Sequence, residues 1–209
     1  MARNAQEALE RLRAGNRRFV DHVISLEALL SHARRAEHAK AQEPFAIILG
    51  CSDSRAPAEF VFDQGLGDLF VIRVAGNIAA PSQIGSIEFA VERFGVRLVV
   101  VLGHSNCGAV QATLEAIDSP SEVSPALHAI VDRIMPSLTD SAMLGKGCCP
   151  ERTQYAVRAN VRHTKQRLIE DSEYLNRMRK EQGLQVVCAD YSLDTGYVDF
   201  FEDTPGSGT

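Results

Sequence analysis

The chain has 209 residues, of which 45% are hydrophobic and 23% are charged, and its formal net charge is -5. A chain of this length can bury one substantial core, so we expect one globular domain over residues 1–209. The acidic balance provides no basic field for nucleic acids or anionic membranes, which argues against both as partners. The first twenty residues lack a continuous apolar stretch, so neither a signal peptide nor a membrane span fits, and we expect a cytoplasmic protein.

The N-terminal segment is predicted to form an amphipathic helical arm over residues 1–40. Apolar residues recur at helical spacing between positions 4 and 20, and Gly15 with Asn16 suggests an interruption near the middle. A second helical stretch covers about 25 to 39. A core over residues 41–204 follows the arm, and the tail 205–209 is predicted to be disordered.

Short runs rich in Val, Ile and Leu predict strands at 45–50, 68–75, 97–103, 184–192 and 197–201. The first three runs are nearly continuous in apolar residues and are separated by helical segments, a pattern typical of parallel strands covered by helices on both faces, and the run at 184–192 joins them. Asp194, Thr195 and Gly196 predict a hairpin loop between the last two strands. The fold class is therefore α/β: a mainly parallel central sheet flanked by helices, with an N-terminal helical arm and a C-terminal hairpin edge.

The region between positions 108 and 182 is predicted to be mostly helical. Breaks are expected at 119–125 and around 145–150, where Ser, Gly and Pro are concentrated. Ser121 or Ser124 is the expected N-cap of the helix that follows the first break.

Five cysteines, an odd number without a secretory signal, argue against a disulfide framework and for thiols that are metal ligands or unpaired. Three of them, Cys148, Cys149 and Cys188, have no histidine or carboxylate at ligand spacing. We interpret these three as residues that do not bind metal. Gly65 and Gly67 begin a possible dinucleotide motif, but they precede a strand instead of following one, so nucleotide binding is rejected.

Two polar clusters follow predicted strands directly. Cys51, Asp53 and Arg55 come after the run that ends at Gly50, and His104 with Cys107 comes after the run that ends at Gly103. Ligands of open parallel sheets bind outside the carboxyl ends of the strands, so the two clusters can converge.

Two thiolates and one imidazole suit zinc, and three protein ligands leave a fourth tetrahedral position open, which is the mark of a catalytic site. Cys107 is also predicted at the start of a helix, where amides and the helix dipole favour a thiolate. On the residues alone, Cys51 could instead be a buried thiol, and Asp53 with Arg55 an ordinary surface ion pair.

The segments CSDSR (51–55) and HSNCG (104–108) together resemble the paired signature of the beta-class carbonic anhydrases. Similarity extends through 62–77 and 87–96, and it is strong over about residues 8–117. The resemblance implies the fold of that family, a catalytic core at 41–204, and one Zn²⁺ per chain held by Cys51, His104 and Cys107. The implied reaction is the reversible hydration of carbon dioxide to bicarbonate and a proton by zinc-bound hydroxide.

In the family, Asp53 and Arg55 correspond to a catalytic dyad in which the guanidinium holds the carboxylate ready to accept a hydrogen bond from the nucleophile. The same carboxylate can instead bind zinc and close the site. Members regulated in this way carry a tryptophan three residues before the first zinc cysteine, and here that residue is Ile48. The resemblance is therefore closer to the plant-like, constitutively open type.

The resemblance also implies a substrate pocket formed by Gln42, Phe70, Ala75, Phe89 and Gly108. Phe70 and Phe89 are also compatible with plain core packing, and Gln42 is also compatible with a polar loop. All three could come from a neighbouring chain. The expected assembly is therefore a homodimer or a dimer of dimers, with the N-terminal arm as the connecting strap.

Three alternatives remain open on the sequence. The same metal site could hydrolyse carbonyl sulfide or carbon disulfide. It could be a closed structural zinc module with Asp53 as the fourth ligand, or a zinc-free cysteine hydrolase that uses Cys51 with His104.

Overall fold

The computed structural model describes residues 4–31, 39, 41–119, 124–139 and 150–201. Its elements in chain order are α1 (Ala5–Val20), α2 (Leu26–Ser31), β1 (Ala46–Gly50), α3 (Ala58–Val61), β2 (Leu69–Arg73), a 3₁₀ turn (Ala75–Asn77), α4 (Pro81–Phe94), β3 (Leu98–His104), α5 (Gly108–Asp118), α6 (Pro125–Ile134), α7 (Pro136–Thr139), α8 (Pro150–Glu170), α9 (Glu173–Gln182), β4 (Gln185–Tyr191) and β5 (Val198–Phe201). Among these helices, none combines the length and the apolar character needed to cross a membrane.

The five strands form one sheet in the order β2-β1-β3-β4-β5. The pairings among β2, β1, β3 and β4 are parallel, and β5 runs antiparallel to β4 as the predicted hairpin edge. Each predicted strand is present within two residues of its expected bounds. The predicted α/β fold with a mainly parallel central sheet is therefore confirmed.

Helices cover both faces of the sheet, which explains the continuous apolar runs. In β1, Ala46 and Ile48 pack with residues of α1 and α3, whereas Ile47 and Leu49 face α4, α8 and α9. All residues of β1 and β3 are buried. Burial of each large apolar side chain stabilises the fold by about 1.5–3 kcal/mol, so both helical layers hold the sheet.

The predicted interruption of the first helix is wrong, because α1 continues through Gly15 and Asn16. A Cβ atom on Gly15 would lie 1.8 Å from the carbonyl oxygen of Phe62, so only glycine permits this close crossing. The Asn16 side chain is buried, donates to the carbonyl oxygens of Val61 and Gly196, and accepts a hydrogen bond from the Val198 amide. These residues dock the helix instead of breaking it.

The remaining connections match the predictions where the structure describes them. The Ser124 hydroxyl accepts a hydrogen bond from the Leu127 amide and caps α6. The loop before β5 contains Gly196 in the left-handed region, with φ of 75°. Of the second predicted helix, α2 covers 26–31, and positions 32–38 lie outside the described residues, as do Ser121, the break at 145–149 and the tail 205–209. The single-domain assignment stays a prediction.

The helix crossing at Gly15 predicts a large stability effect. Gly15→Ala should lower the free energy of unfolding by about 1–3 kcal/mol or more, because the new methyl group forces α1 away from the Phe62 backbone. Gly85→Ala is the matched control: its Cβ would meet no atom within 4 Å, and alanine favours the α4 helix by up to about 1 kcal/mol. Urea unfolding followed by circular dichroism measures both. Equal stability of the two variants would contradict the close crossing.

Candidate metal centre

Three potential ligands meet at the carboxyl edge of the sheet. Cys51 follows the last residue of β1, His104 is the last residue of β3, and Cys107 is the N-cap residue of α5. Because β1 and β3 are parallel neighbours, with Gly50 opposite Leu102, their ends lie side by side. The parallel pairing thus brings together residues that are more than fifty positions apart in the chain.

The three side chains form a compact, buried group. Their ligand atoms all lie within 4.8 Å of one another, and the two Sγ atoms are 3.9 Å apart. Cys51 is 6% exposed, and His104 and Cys107 are each 1% exposed. A tetrahedral zinc ion with bonds of about 2.3 Å to sulfur holds two sulfur atoms about 3.8 Å apart. The spacing of the thiols therefore fits zinc.

The orientation of His104 also fits a metal ligand. Its Nδ1 atom lies 2.9 Å from the carbonyl oxygen of Ser105, so Nδ1 carries the proton and Nε2 carries the lone pair. Nε2 is buried and has no hydrogen-bond partner among the described residues. A buried lone pair beside two thiols is the arrangement that a metal ion would satisfy.

The two thiols are not equivalent as acids. A hydrogen bond from Cys107, supported by His104 and by the amides of Asp53 and Gly76, lowers the pKa of Cys51 to about 4, against the opposing effect of burial. The Cys51 thiolate and burial raise the pKa of Cys107. Two adjacent thiolates repel each other, and a divalent cation between them would remove that repulsion.

The imidazole of His104 responds to the same negative charge. Burial lowers its pKa, but the neighbouring Cys51 raises it, and the net direction is upward. A metal ion requires the neutral imidazole with its lone pair on Nε2, so any second proton on the ring would be released when a metal binds.

Asp53 is held beside this group by Arg55. The guanidinium donates from Nε to Oδ1 at 2.9 Å and from Nη2 to Oδ2 at 2.7 Å, and the Arg55 amide also donates to Oδ1 at 3.0 Å. These bonds hold the pKa of Asp53 well below its usual range. The Oδ2 atom lies 3.9 Å from Nε2 of His104, so the carboxylate borders the three potential ligands.

The loop that carries Cys51 is also held by residues that the sequence analysis did not single out. Arg73, at the end of β2, donates to the carbonyl oxygens of Cys51 at 3.0 Å and Asp53 at 2.6 Å. The Gly76 amide lies 3.4 Å from Cys51 Sγ. The available signal was their position within the stretch 62–77: Arg73 ends β2, which is adjacent to β1, and Gly76 lies in the turn that follows.

The structure places two of the five predicted pocket residues at this centre. Ala75 precedes Gly76 in the turn beside Cys51, and Gly108 follows Cys107 at the start of α5. Open space lies where a Gly108 side chain would be. Both positions are therefore consistent with contact to a small substrate.

The other three predicted pocket residues lie apart from the metal-binding group of their own chain, which we call the metal group (Cys51, His104 and Cys107). Phe70 pairs with Ile47 in the sheet, and Ile47 is four residues before Cys51. At about 3.3 Å per residue, Phe70 therefore lies about 13 Å from Cys51 along the strand direction. Phe89 lies on α4 and is 51% exposed, so it is not a plain core residue. The centroids of the Phe89 and Phe70 rings are 6.2 Å apart. Gln42 is exposed ahead of β1.

Cys188, the other cysteine within the described residues, does not join the group. Cys188 is buried within β4, in the core between the sheet and α4, α8 and α9. Cys148 and Cys149 lie outside the described residues. Within the described part of the chain, Cys51, His104 and Cys107 form the one His, Cys and carboxylate group with metal-ligand spacing.

The fold and the site define an α/β protein with a buried Cys-His-Cys metal-binding group at the carboxyl edge of a mainly parallel sheet. Comparison with known proteins specifies the family. The family model described as carbonic anhydrase matches residues 46–198. Carbonic anhydrase 2 of Mycobacterium tuberculosis is 38% identical over 193 residues, covering 92% of this chain and 91% of its own. The chain belongs to the beta-class carbonic anhydrase family of enzymes.

Other relatives agree with this assignment. A carbonic anhydrase of Mycolicibacterium smegmatis is 47% identical over 135 residues, and the alignment covers 65% of each chain. Among solved structures, the beta-carbonic anhydrase CafA of Aspergillus fumigatus superimposes with a TM-score of 0.75 at 26% identity, covering 86% of each chain. The fold and the sequence therefore indicate the same family.

The geometry of the centre predicts that Cys107→Ser abolishes stable metal binding. A hydroxyl is a much weaker zinc ligand than a thiolate, so we expect zinc affinity to fall by more than about 100-fold. Elemental analysis after dialysis should give one zinc per chain for the unaltered protein and almost none for the variant. Cys188→Ser, a buried cysteine outside the group, is the matched control and should retain zinc. Full zinc content in Cys107→Ser would contradict the assignment.

Proposed function

We propose that the chain catalyses the zinc-dependent, reversible hydration of carbon dioxide to bicarbonate and a proton. The observation that carries this proposal is the Asp53 carboxylate, held by Arg55 at the border of the Cys51, His104 and Cys107 group. Such an arrangement combines a metal group with an oriented hydrogen-bond acceptor. Family membership supports the reaction, because the named relatives are carbonic anhydrases.

Cys51, His104 and Cys107 would hold one Zn²⁺ through two thiolates and Nε2 of the imidazole. When bound, zinc supplies Lewis acidity that makes hydroxide available near neutral pH. The Ser105 carbonyl oxygen fixes the imidazole tautomer, and the amides of Asp53 and Gly76 stabilise the negative charge on Cys51. The residues thus prepare a site for the ion before any substrate enters.

Asp53 is proposed to orient the nucleophile. Because its pKa is low, Asp53 is ionised at neutral pH and can only accept hydrogen bonds. An acceptor at this position directs the proton of the nucleophile towards Asp53 and leaves a lone pair for carbon dioxide. The two side-chain bonds and one backbone bond from Arg55 keep the carboxylate in this orientation.

The same bonds support the open state of the site. To become a fourth metal ligand, the Asp53 carboxylate would have to leave the Arg55 fork and lose charge-assisted hydrogen bonds. Ile48, at the position of the regulatory tryptophan, is buried among apolar residues of the sheet. We therefore propose the constitutively open type instead of a closed structural zinc module.

Substrate would enter beside Ala75 and Gly108. The open space at Gly108 leaves its backbone accessible, and an amide at the first turn of α5 can donate to a developing bicarbonate oxygen.

Turnover of carbonyl sulfide and carbon disulfide in the same preparation tests whether carbon dioxide is the preferred gas. The cytoplasmic location stays a prediction.

Loss of the oriented carboxylate should reduce turnover without loss of metal. Asp53→Asn should lower kcat for carbon dioxide hydration by about 10²–10⁴-fold, because the amide cannot serve as an ionised acceptor. Arg55→Lys removes the two-pronged hold and should lower kcat by about 10–100-fold. Stopped-flow hydration assays with parallel zinc analysis measure both effects.

A matched control is Asp171→Asn, which alters a surface carboxylate paired with Arg167 at 2.6 Å, away from the metal group. Its turnover should equal that of the unaltered protein. Unchanged kcat in zinc-loaded Asp53→Asn, or background rates in the zinc-loaded unaltered protein, would contradict the proposed mechanism.

We also propose a homo-oligomer, at least a dimer, in which a second copy of the chain supplies Gln42, Phe70 and Phe89 to the site. Their distance from the metal group of their own chain supports this arrangement.

Large exposed apolar residues around the arm form a patch suited to a second copy, which we call the arm patch: Val23, Ile24, Leu26, Leu29, Phe60 and Leu66. Exposed apolar clusters of this kind mark protein interfaces. A tetrameric relative from Sordaria macrospora shares the fold, with a TM-score of 0.70 at 22% identity.

Mixed oligomers test whether Gln42 acts across the interface. Gln42→Ala should lower kcat/KM by roughly 10-fold, the effect of one lost hydrogen bond, and Cys51→Ser should be inactive. In a co-assembled preparation, a Gln42→Ala chain keeps its metal ligands and can receive Gln42 from a Cys51→Ser partner. With random pairing, about half of the Gln42→Ala chains have such a partner, so about half of their sites should regain full activity. Hydration rates of the separate and mixed preparations measure the recovery.

The control mixture contains Gln42→Ala with the double variant C51S/Q42A, and it should show no recovery. Sedimentation establishes that mixed oligomers form, and Phe60→Glu, in the arm patch, should lower the sedimenting mass. Mixed oligomers without recovered activity would show that Gln42 does not act in trans.

A further inference from the structure

Cys51 receives a backbone hydrogen bond from a turn that is itself anchored by a distant helix. The Gly76 amide lies 3.4 Å from Cys51 Sγ. The carbonyl oxygen of the same glycine accepts a hydrogen bond of 2.8 Å from Nδ2 of Asn160, on α8. A chain of two hydrogen bonds therefore connects α8 to a proposed metal ligand.

Gly76 has no side chain with which to hold its own position in the turn. Gly76 is in the left-handed region, with φ of 69°, and a Cβ atom there would lie 2.6 Å from Cδ1 of Ile134. Glycine is required by both the backbone conformation and the close packing. The residue that directs an N–H group towards the sulfur therefore depends on other elements for its position.

Asn160 is an unusual residue for its surroundings. It is 0% exposed, and its helix neighbours Ala156, Val157 and Val161 are apolar residues of the core. Among the described residues, its Oδ1 atom has no hydrogen-bond partner. Burying an amide with an unpaired oxygen is unfavourable, so packing alone does not account for asparagine at this position. The contact that does account for it is the bond to Gly76.

We infer that Asn160 is a positioning residue, which holds the Gly76 amide against Cys51 Sγ and thereby tunes the binding of metal by that sulfur. This inference rests on the proposed function, because it concerns the same metal centre. Hydrogen bonds to a thiolate withdraw electron density from sulfur, and groups behind the ligands affect metal affinity. Loss of the Asn160 anchor should therefore change the metal–sulfur bond as well as the stability of the turn.

The test uses full-length protein loaded with Co²⁺ after removal of zinc. In Asn160→Leu and in the milder Asn160→Ser, the sulfur-to-cobalt charge-transfer band should shift to lower energy, because the Cys51 sulfur donates more strongly. Zinc affinity, measured by competition with a chromophoric chelator, should weaken by about 10–100-fold, because loss of the anchor releases the turn that orients Cys51 and this loss outweighs the stronger donation by sulfur. Asn160→Ser decides the question if the leucine variant does not fold, because serine introduces no bulk.

Asn16→Ser is the matched control. Asn16 is another buried asparagine that donates to backbone carbonyl oxygens, but it joins α1 to Val61 and Gly196. Its replacement should lower the thermal midpoint while the cobalt spectrum and the zinc affinity stay unchanged. If Asn160 contributed to stability alone, Asn160→Ser would behave like Asn16→Ser: the thermal midpoint would fall, and the cobalt spectrum and the zinc affinity would stay unchanged.

An unaltered cobalt spectrum and zinc affinity in folded Asn160→Ser would overturn the inference. The spectrum is independent of turnover, so a shifted band in a protein that does not hydrate carbon dioxide would support the inference while contradicting the proposed function. Failure of the unaltered protein to bind either metal would contradict both.

Discussion

The parallel pairing of β1 and β3 is the constraint on which the rest of this structure depends. It places the ends of two apolar strands side by side, so that Cys51 and His104 leave the sheet at the same edge. Cys107 joins them because it lies three residues after the end of β3, directly before α5. Since both strands are buried on both faces, the positions of these ends are restrained by the whole core, and a compact group of ligands results.

Hydrogen bonds from neighbouring residues hold the loop and the carboxylate beside the metal-binding group in place. Arg73 binds the carbonyl oxygens of Cys51 and Asp53, and the Gly76 amide contacts the Cys51 sulfur. Arg55 holds the Asp53 carboxylate through two side-chain bonds. The centre is therefore a set of residues held in place by neighbours on several elements, which is the condition for an oriented acceptor beside a metal ion.

Most of the fold was predictable because its local signals agree with the final packing. The apolar runs indicate strands buried on both faces, and the Asp194 to Gly196 segment indicates the hairpin. The error at Gly15 and Asn16 has a specific cause. Both residues usually interrupt helices, but here one permits a close helix crossing and the other binds three backbone groups. Those partners lie at least 45 positions away, where sequence spacing carries no information.

The sequence by itself determined which residues could form a metal group, because two thiols and one imidazole each follow a predicted parallel strand. It also determined the pairing of Asp53 with Arg55, since two residues of opposite charge so close in the chain can meet within one turn. Only the tertiary structure decided how the Cys51 loop is held, through Arg73, Gly76 and Asn160. It also placed Phe89 on the exposed side of α4 instead of in the core. These features depend on contacts between distant elements, whose distances and directions arise only when the sheet and its helices pack together.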